Sequence, residues 1–158
     1  MRPSLLRIVG VAVVFLVTGC ATVPRASEPL VQQSRTFVPP PGKASVYVIR
    51  PYNYIGSCCL WNVTLDFQEF GSLGLRSYLY GVVEPGDHFV GTLTQGISPS
   101  RVKFTAVSGH NYFFTISPGF ASLAIDALDE EDGRSRVLAF TPSGDNRFEL
   151  LGSQPPSR

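Results

Sequence analysis

The sequence predicts a mainly β protein: a single antiparallel β-sandwich, immunoglobulin-like or closed into a small barrel, followed by a short C-terminal helical candidate. Two observations carry this. Apolar side chains recur at every second position, as in Trp61, Val63, Leu65 and Phe67 against Asn62, Thr64 and Asp66, or Val102, Phe104 and Ala106 against Arg101, Lys103 and Thr105. That period marks strands with one face in a core and one in water. Turn residues then punctuate the runs roughly every ten positions, the interval of antiparallel sandwiches and small barrels.

In chain order, the first segment is a leader. Arg2 and Arg7 precede an apolar stretch from Ile8 to Val17, and Val17-Thr18-Gly19-Cys20 closes it. A run of about ten residues covers roughly 15 Å as a helix, half the hydrocarbon core of a bilayer, so it reads as a secretory signal over 1–19 and not as a membrane span. The four closing residues resemble the lipobox of bacterial lipoproteins. That resemblance implies cleavage between Gly19 and Cys20 and lipidation of Cys20, with several acyl chains giving a firm membrane anchor. Ala21 follows the cysteine where aspartate would imply inner-membrane retention, so the expected location is the cell envelope, lipid-anchored at the outer membrane and facing the periplasm.

Residues 20–42 read as the lipidated cysteine and a Pro-rich tether, ending in Val38-Pro39-Pro40-Pro41-Gly42. The sandwich domain follows over 43–141, with strands expected near 44–50, 59–67, 76–83, 87–94, 101–107, 111–117 and 121–128. The first is apolar on both faces and suits a strand covered on two sides. Glu84-Pro85-Gly86-Asp87 and Ser108-Gly109 supply turns between strands. The acidic run Asp129-Glu130-Glu131-Asp132 suits the positive end of a helix through Arg134 to Phe140, although Asp132-Gly133 equally fits a hairpin turn. Residues 142–158 read as a flexible tail.

Cleavage before Cys20 removes two of the 13 basic residues and none of the 12 acidic ones, leaving a net charge of about −1. Such a balance offers no electrostatic footprint for nucleic acid and no polybasic patch for anionic lipid. Of the three cysteines, only Cys58 and Cys59 remain as thiols. Adjacent residues of a strand point to opposite faces, which argues against a disulfide between them and for one buried and one partly exposed thiol packed as small apolar groups, with a redox or intermolecular site as the alternative.

Gly42-Lys43-Ala44 with Val46-Tyr47-Val48 and Arg50-Pro51, then Gly56, Asn62-Val63, Leu65-Asp66, Glu84-Pro85-Gly86-Asp87-His88, and Gly109 with Tyr112, resemble the bacterial family catalogued as domain of unknown function 2846. The resemblance spans about residues 42 to 140. It implies a lipobox, a proline-rich spacer and one β-rich domain, and brings no activity with it. The chain departs from that pattern in its paired cysteines and in Phe67, where a glycine turn is usual.

No residue pattern prescribes catalysis. His88 and His110 both begin strands without a second ligand at metal spacing, no Gly-x-Ser-x-Gly elbow exists, and the acidic run lacks the alternate oxygens of a calcium loop. No catalytic residue, metal or cofactor is therefore assigned. Asn62-Val63-Thr64 reads as the polar face of a strand, not as a glycosylation site. Pro51-Tyr52-Asn53-Tyr54-Ile55-Gly56 puts two tyrosines in a loop beside Arg50 and near Trp61. Aromatic loops of this kind form rigid contact patches, so Arg50, Tyr52, Tyr54 and Trp61 are the candidate partner-binding residues. The leading expectation is a noncatalytic envelope module with a protein, peptide or glycan partner, and no nucleic acid. A cell-envelope hydrolase and a host-directed inhibitor or surface factor stand as alternatives.

Overall fold

The run Ala44–Arg50 is buried at all seven positions, as a strand enclosed on both faces must be. A computed structural model, which describes residues 28–55, 59–94, 96–139 and the backbone of 149–152, shows why: this strand lies in the middle layer of three. In chain order the described elements are α1 (Glu28–Thr36), β1 (Ala44–Arg50), β2 (Trp61–Leu65), β3 (Gln68–Leu73), β4 (Ser77–Val83) and β5 (Gly86–Thr92). Then come β6 (Arg101–Ala106), β7 (Asn111–Pro118), β8 (Leu123–Leu128), α2 (Glu130–Leu138) and β9 (Glu149–Gly152). One sheet has the order β8-β7-β1-β4-β9 and the other β3-β2-β5-β6.

The expected sandwich is therefore present, with neither sheet closing into a barrel and with the C-terminal helix formed. The smaller sheet is antiparallel throughout. The larger is mixed, because β1 pairs antiparallel with β4 but parallel with β7, and β4 parallel with β9. Alternation along β1 divides two cores. Ala44, Val46 and Val48 face the second sheet and join Val63, Leu79 and Phe114. Tyr47 and Ile49 face the helices and join Phe37, Tyr78, Tyr80 and Phe113. Tyr47 stacks on Phe113 with centroids 4.6 Å apart, and its hydroxyl donates to the Ser34 carbonyl at 2.8 Å. Desolvation pushes that phenol's pKa far above its ordinary value.

Three sequence expectations are corrected. Residues 28–42, read as part of a tether, instead contribute α1 and bury Ser34 and Phe37 against the larger sheet. The tail read over 142–158 supplies β9, which is hydrogen-bonded to β4. The strand expected over 59–67 is a hairpin: β2 ends at Leu65, and Asp66 (φ 51°) and Phe67 (φ 67°) make a turn into β3. Two consecutive positive φ values fit a type I′ hairpin turn, for which Asn-Gly is the usual signal. Asp66 is held there by its carboxylate, which accepts from the Phe89 backbone N–H at 2.9 Å and faces His88 Nδ1 at 2.7 Å.

At Gly133 the helix wins over the turn. Asp129 caps α2 by accepting from the Asp132 N–H at 2.8 Å, and Gly133 lies so close to Phe113 that a Cβ there would sit 2.1 Å from the ring. The glycine weakens the helix intrinsically but permits its approach to the sheet.

The sandwich has two dissimilar ends. Here the basal end is where β1 begins, carrying the 66–67 turn, the β4–β5 turn and the start of α2. The apical end is where β1 finishes, carrying the connections 51–60, 74–76, 93–100 and 119–122.

Candidate functional site

The apical connections gather apolar surface. Six of the ten large apolar side chains exposed among the described residues lie there: Tyr52, Tyr54, Ile55, Leu60, Leu93 and Phe120. The β7–β8 turn is tight, with the Gly119 N–H donating to the Ser122 carbonyl at 2.9 Å. A Cβ at Gly119 would lie 2.6 Å from that carbonyl oxygen, so only glycine fits. The turn leaves Phe120 fully exposed. The β5–β6 connection is pinned by hydrogen bonds from Leu93 N–H to the Asn62 carbonyl at 2.9 Å and from Asn62 N–H to Thr94 Oγ1 at 3.2 Å.

Between these loops lies an open pocket of about 320 Å³, with Trp61 and Leu123 in its floor and Ile55, Ile97 and Phe120 around it. None of its described lining side chains is titratable. A concave apolar site of this size suits a hydrophobic group rather than acid–base chemistry. Charge is equally sparse around it. Among the described apical connections Arg76 is the one charged residue, its guanidinium 4.9 Å from the Tyr52 ring centroid. The α2–β9 connection, 140–148, lies outside the described residues.

The candidate residues Arg50, Tyr52, Tyr54 and Trp61 are brought to one end but play two roles. Tyr52 and Tyr54 are exposed, Tyr54 at 83%. Arg50 is fully buried, so its expected place in a contact surface is corrected. Its Nη1 donates to the carbonyls of Cys59 at 2.6 Å and Leu73 at 2.8 Å, and its guanidinium lies 3.5 Å from the centroid of Trp61. Because guanidinium is weakly hydrated and offers several donors, it can close the core where three chain segments meet. Trp61, 2% exposed, meets the pocket only as floor. Cys59 is exposed. The lipidation and cleavage residues, Cys20 and Gly19, lie outside the described residues.

The alternation that reveals strands cannot reveal Phe120 or Leu93, which belong to turns. Their signal in the sequence is the absence of charge: 51–60, 92–100 and 117–123 contain no Asp, Glu, Lys or Arg.

The basal end differs. His88 meets a carboxylate, Asp66, but its other nitrogen, Nε2, is occupied by the Glu84 carbonyl at 2.8 Å. With both nitrogens in use, the imidazole braces the turn and has no free position for a reacting group. Hydrogen bonds from Lys103 and Thr105 lower the Asp87 pKa, and Lys43 pairs with Glu84. A hydrogen bond from Asn111, with support from Arg134, lowers that of Glu130. His110 sits in an exposed turn, its Nδ1 3.1 Å from the Ser108 carbonyl oxygen.

Fold and site together define a class: a mainly β, two-sheet sandwich with helices on one face and a loop end that, among the described residues, is apolar and sparsely charged. No family model matches the chain. It is 28% identical over 137 residues to a protein of Haemophilus influenzae strain Rd described as uncharacterized, an alignment covering 82% of this chain and 78% of that relative.

Proposed function

We propose that this chain is a noncatalytic envelope lipoprotein, anchored through Cys20 at the periplasmic face of the outer membrane, whose apical end is its contact surface. The observation that supports the reading best is the gathering at one end of exposed Tyr52 and Tyr54 with Ile55 and Phe120, the last two lining an apolar pocket whose described lining carries no titratable side chain. Isolated exposed apolar residues are ordinary, but a contiguous group of them signals an interaction site. The two tyrosines present broad, stiff surfaces with a polar tip, which suits contact with a partner of mixed polarity.

Two measurements test this. The wild-type protein should fractionate with envelopes and the Cys20→Ser variant should be released; retention of that variant contradicts the anchor. Crosslinking in intact envelopes should yield adducts for wild type that are depleted in Tyr52→Ala/Tyr54→Ala, and equal yields would contradict the apical contact.

A further inference from the structure

We infer that the component met by the apical end is the bilayer itself: the anchored protein stands with this end against the lipid headgroups, its aromatic and aliphatic tips in the interface. The inference rests on the lipid-anchor reading and deepens it.

The direction of α1 comes first. Near its C-terminus, the Phe37 carbonyl accepts from Asn111 Nδ2 at 2.9 Å, and Asn111 opens β7 at the basal end beside Ser45. One turn earlier, Ser34 Oγ lies 3.1 Å from the hydroxyl of Tyr78, which pairs with Ile49 near the apical end of β1. The helix thus descends from apical to basal, and Glu28 enters it from the apical side.

Chain length comes second. Eight residue steps separate Cys20 from Glu28, a reach of at most about 28 Å when fully extended. Helix α1 covers roughly 14 Å on its way down, so standing on the basal end would require that leash to double back along the helix and spend about half its reach. Standing on the apical end leaves it slack.

Charge comes third. Ionic side chains are expensive to bring to an apolar interface, whereas Tyr, Phe, Leu and Ile are at home there. Apart from Arg76, the described apical connections carry only uncharged residues, with Glu28 and Arg101 at the adjoining ends of α1 and β6, while the basal end presents Lys43, Asp66, Glu84, Asp87 and the acidic start of α2. Two arginines offset by a glutamate are far from a polybasic patch, so the contact is to zwitterionic lipid and is carried by apolar insertion. Once the acyl chains confine the protein to the surface, even a weak contact is enough to set its orientation, because the second encounter is intramolecular.

The test uses the full-length lipidated chain reconstituted in phosphatidylethanolamine vesicles containing brominated phosphatidylcholine, which quenches tryptophan on contact. Phe120→Trp reports the apical end and Val107→Trp the basal end, each read after subtracting the Trp61 signal of wild type. Phe120→Trp should lose most of its emission relative to unbrominated vesicles, and Val107→Trp should keep its own. A protein that floats with the vesicles while both reporters are quenched alike, or neither is, overturns the orientation and leaves the anchor standing. A wild-type chain that does not float overturns the anchor and the orientation together. Unquenched Phe120→Trp in a chain whose apical end crosslinks to a protein in intact envelopes overturns the lipid contact in favour of a protein partner.

Discussion

The two ends of this sandwich are built from the same strands yet solve opposite problems. At the basal end the turns are fixed by polar contacts to water-facing groups: Asp66 holds the 66–67 turn and His88, Asp87 bridges to Lys103 and Thr105, and Asp129 caps α2. At the apical end the fixing is done from below. Arg50 ties two chain segments from inside the core, backbone hydrogen bonds pin 93–100, and Gly119 tightens the last turn. The outward surface there is left to Tyr54, Ile55 and Phe120, which are exposed. When stability is supplied from beneath a loop, its outer side chains are free to be chosen for contact.

Breaking the apical support should have the largest effect. Replacing Arg50 with Met removes charged hydrogen bonds to two carbonyls and the contact with Trp61, and should cost about 3 kcal/mol in denaturant unfolding. Arg50→Lys should recover little of this, because an ammonium cannot reproduce the planar fork over an indole. Next comes Gly133→Ala in the helical layer. Its Cβ would clash with the Phe113 ring, and despite the better helix propensity of alanine the variant should lose about 2 kcal/mol, with Phe113→Leu partly restoring it.

Tyr54→Ser and Phe120→Ser should shift stability by less than about 0.5 kcal/mol, since neither side chain is buried. The same variants should weaken the apical contact, and a large stability loss in either would show that the loop is structural. The smallest effect concerns acid. The Glu130 carboxyl titrates below its ordinary value of 4.5 in the folded protein. Its contribution is therefore fully present above that pH and is lost as pH falls through the lowered folded value. Glu130→Gln should remove that part of the acid dependence, worth about 0.5 kcal/mol or less for so exposed a pair, in urea midpoints measured across pH 2 to 6.

How far the molecule was legible in its residues follows from the same contrast. Alternation and turn residues put β5, β6 and β7 close to where they lie, and β1 is found instead by a short run apolar on both faces. The β2–β3 hairpin is hidden because its turn uses Asp66-Phe67 and borrows stability from His88 and Phe89, partners 22 and 23 residues away. Helix α1 is masked by the prolines that follow it, although Leu30, Val31, Ser34 and Phe37 have the spacing of one helical face. Strand β9 is short and pairs with a strand some 70 residues earlier, which no local pattern encodes. Of the candidate site, the two tyrosines were readable as an aromatic loop. Arg50 looked like part of the surface because arginine seldom lies in a core, and its burial depends on carbonyls supplied by two other chain segments.

The central claim is that the apical end meets something in the envelope and the basal end does not. Photocrosslinking in intact cells, with a benzophenone amino acid at position 120 or at position 107, tests it most directly. Adducts at 120 and none at 107 are the predicted result; equal labelling at both positions, or labelling at 107 alone, would contradict the account.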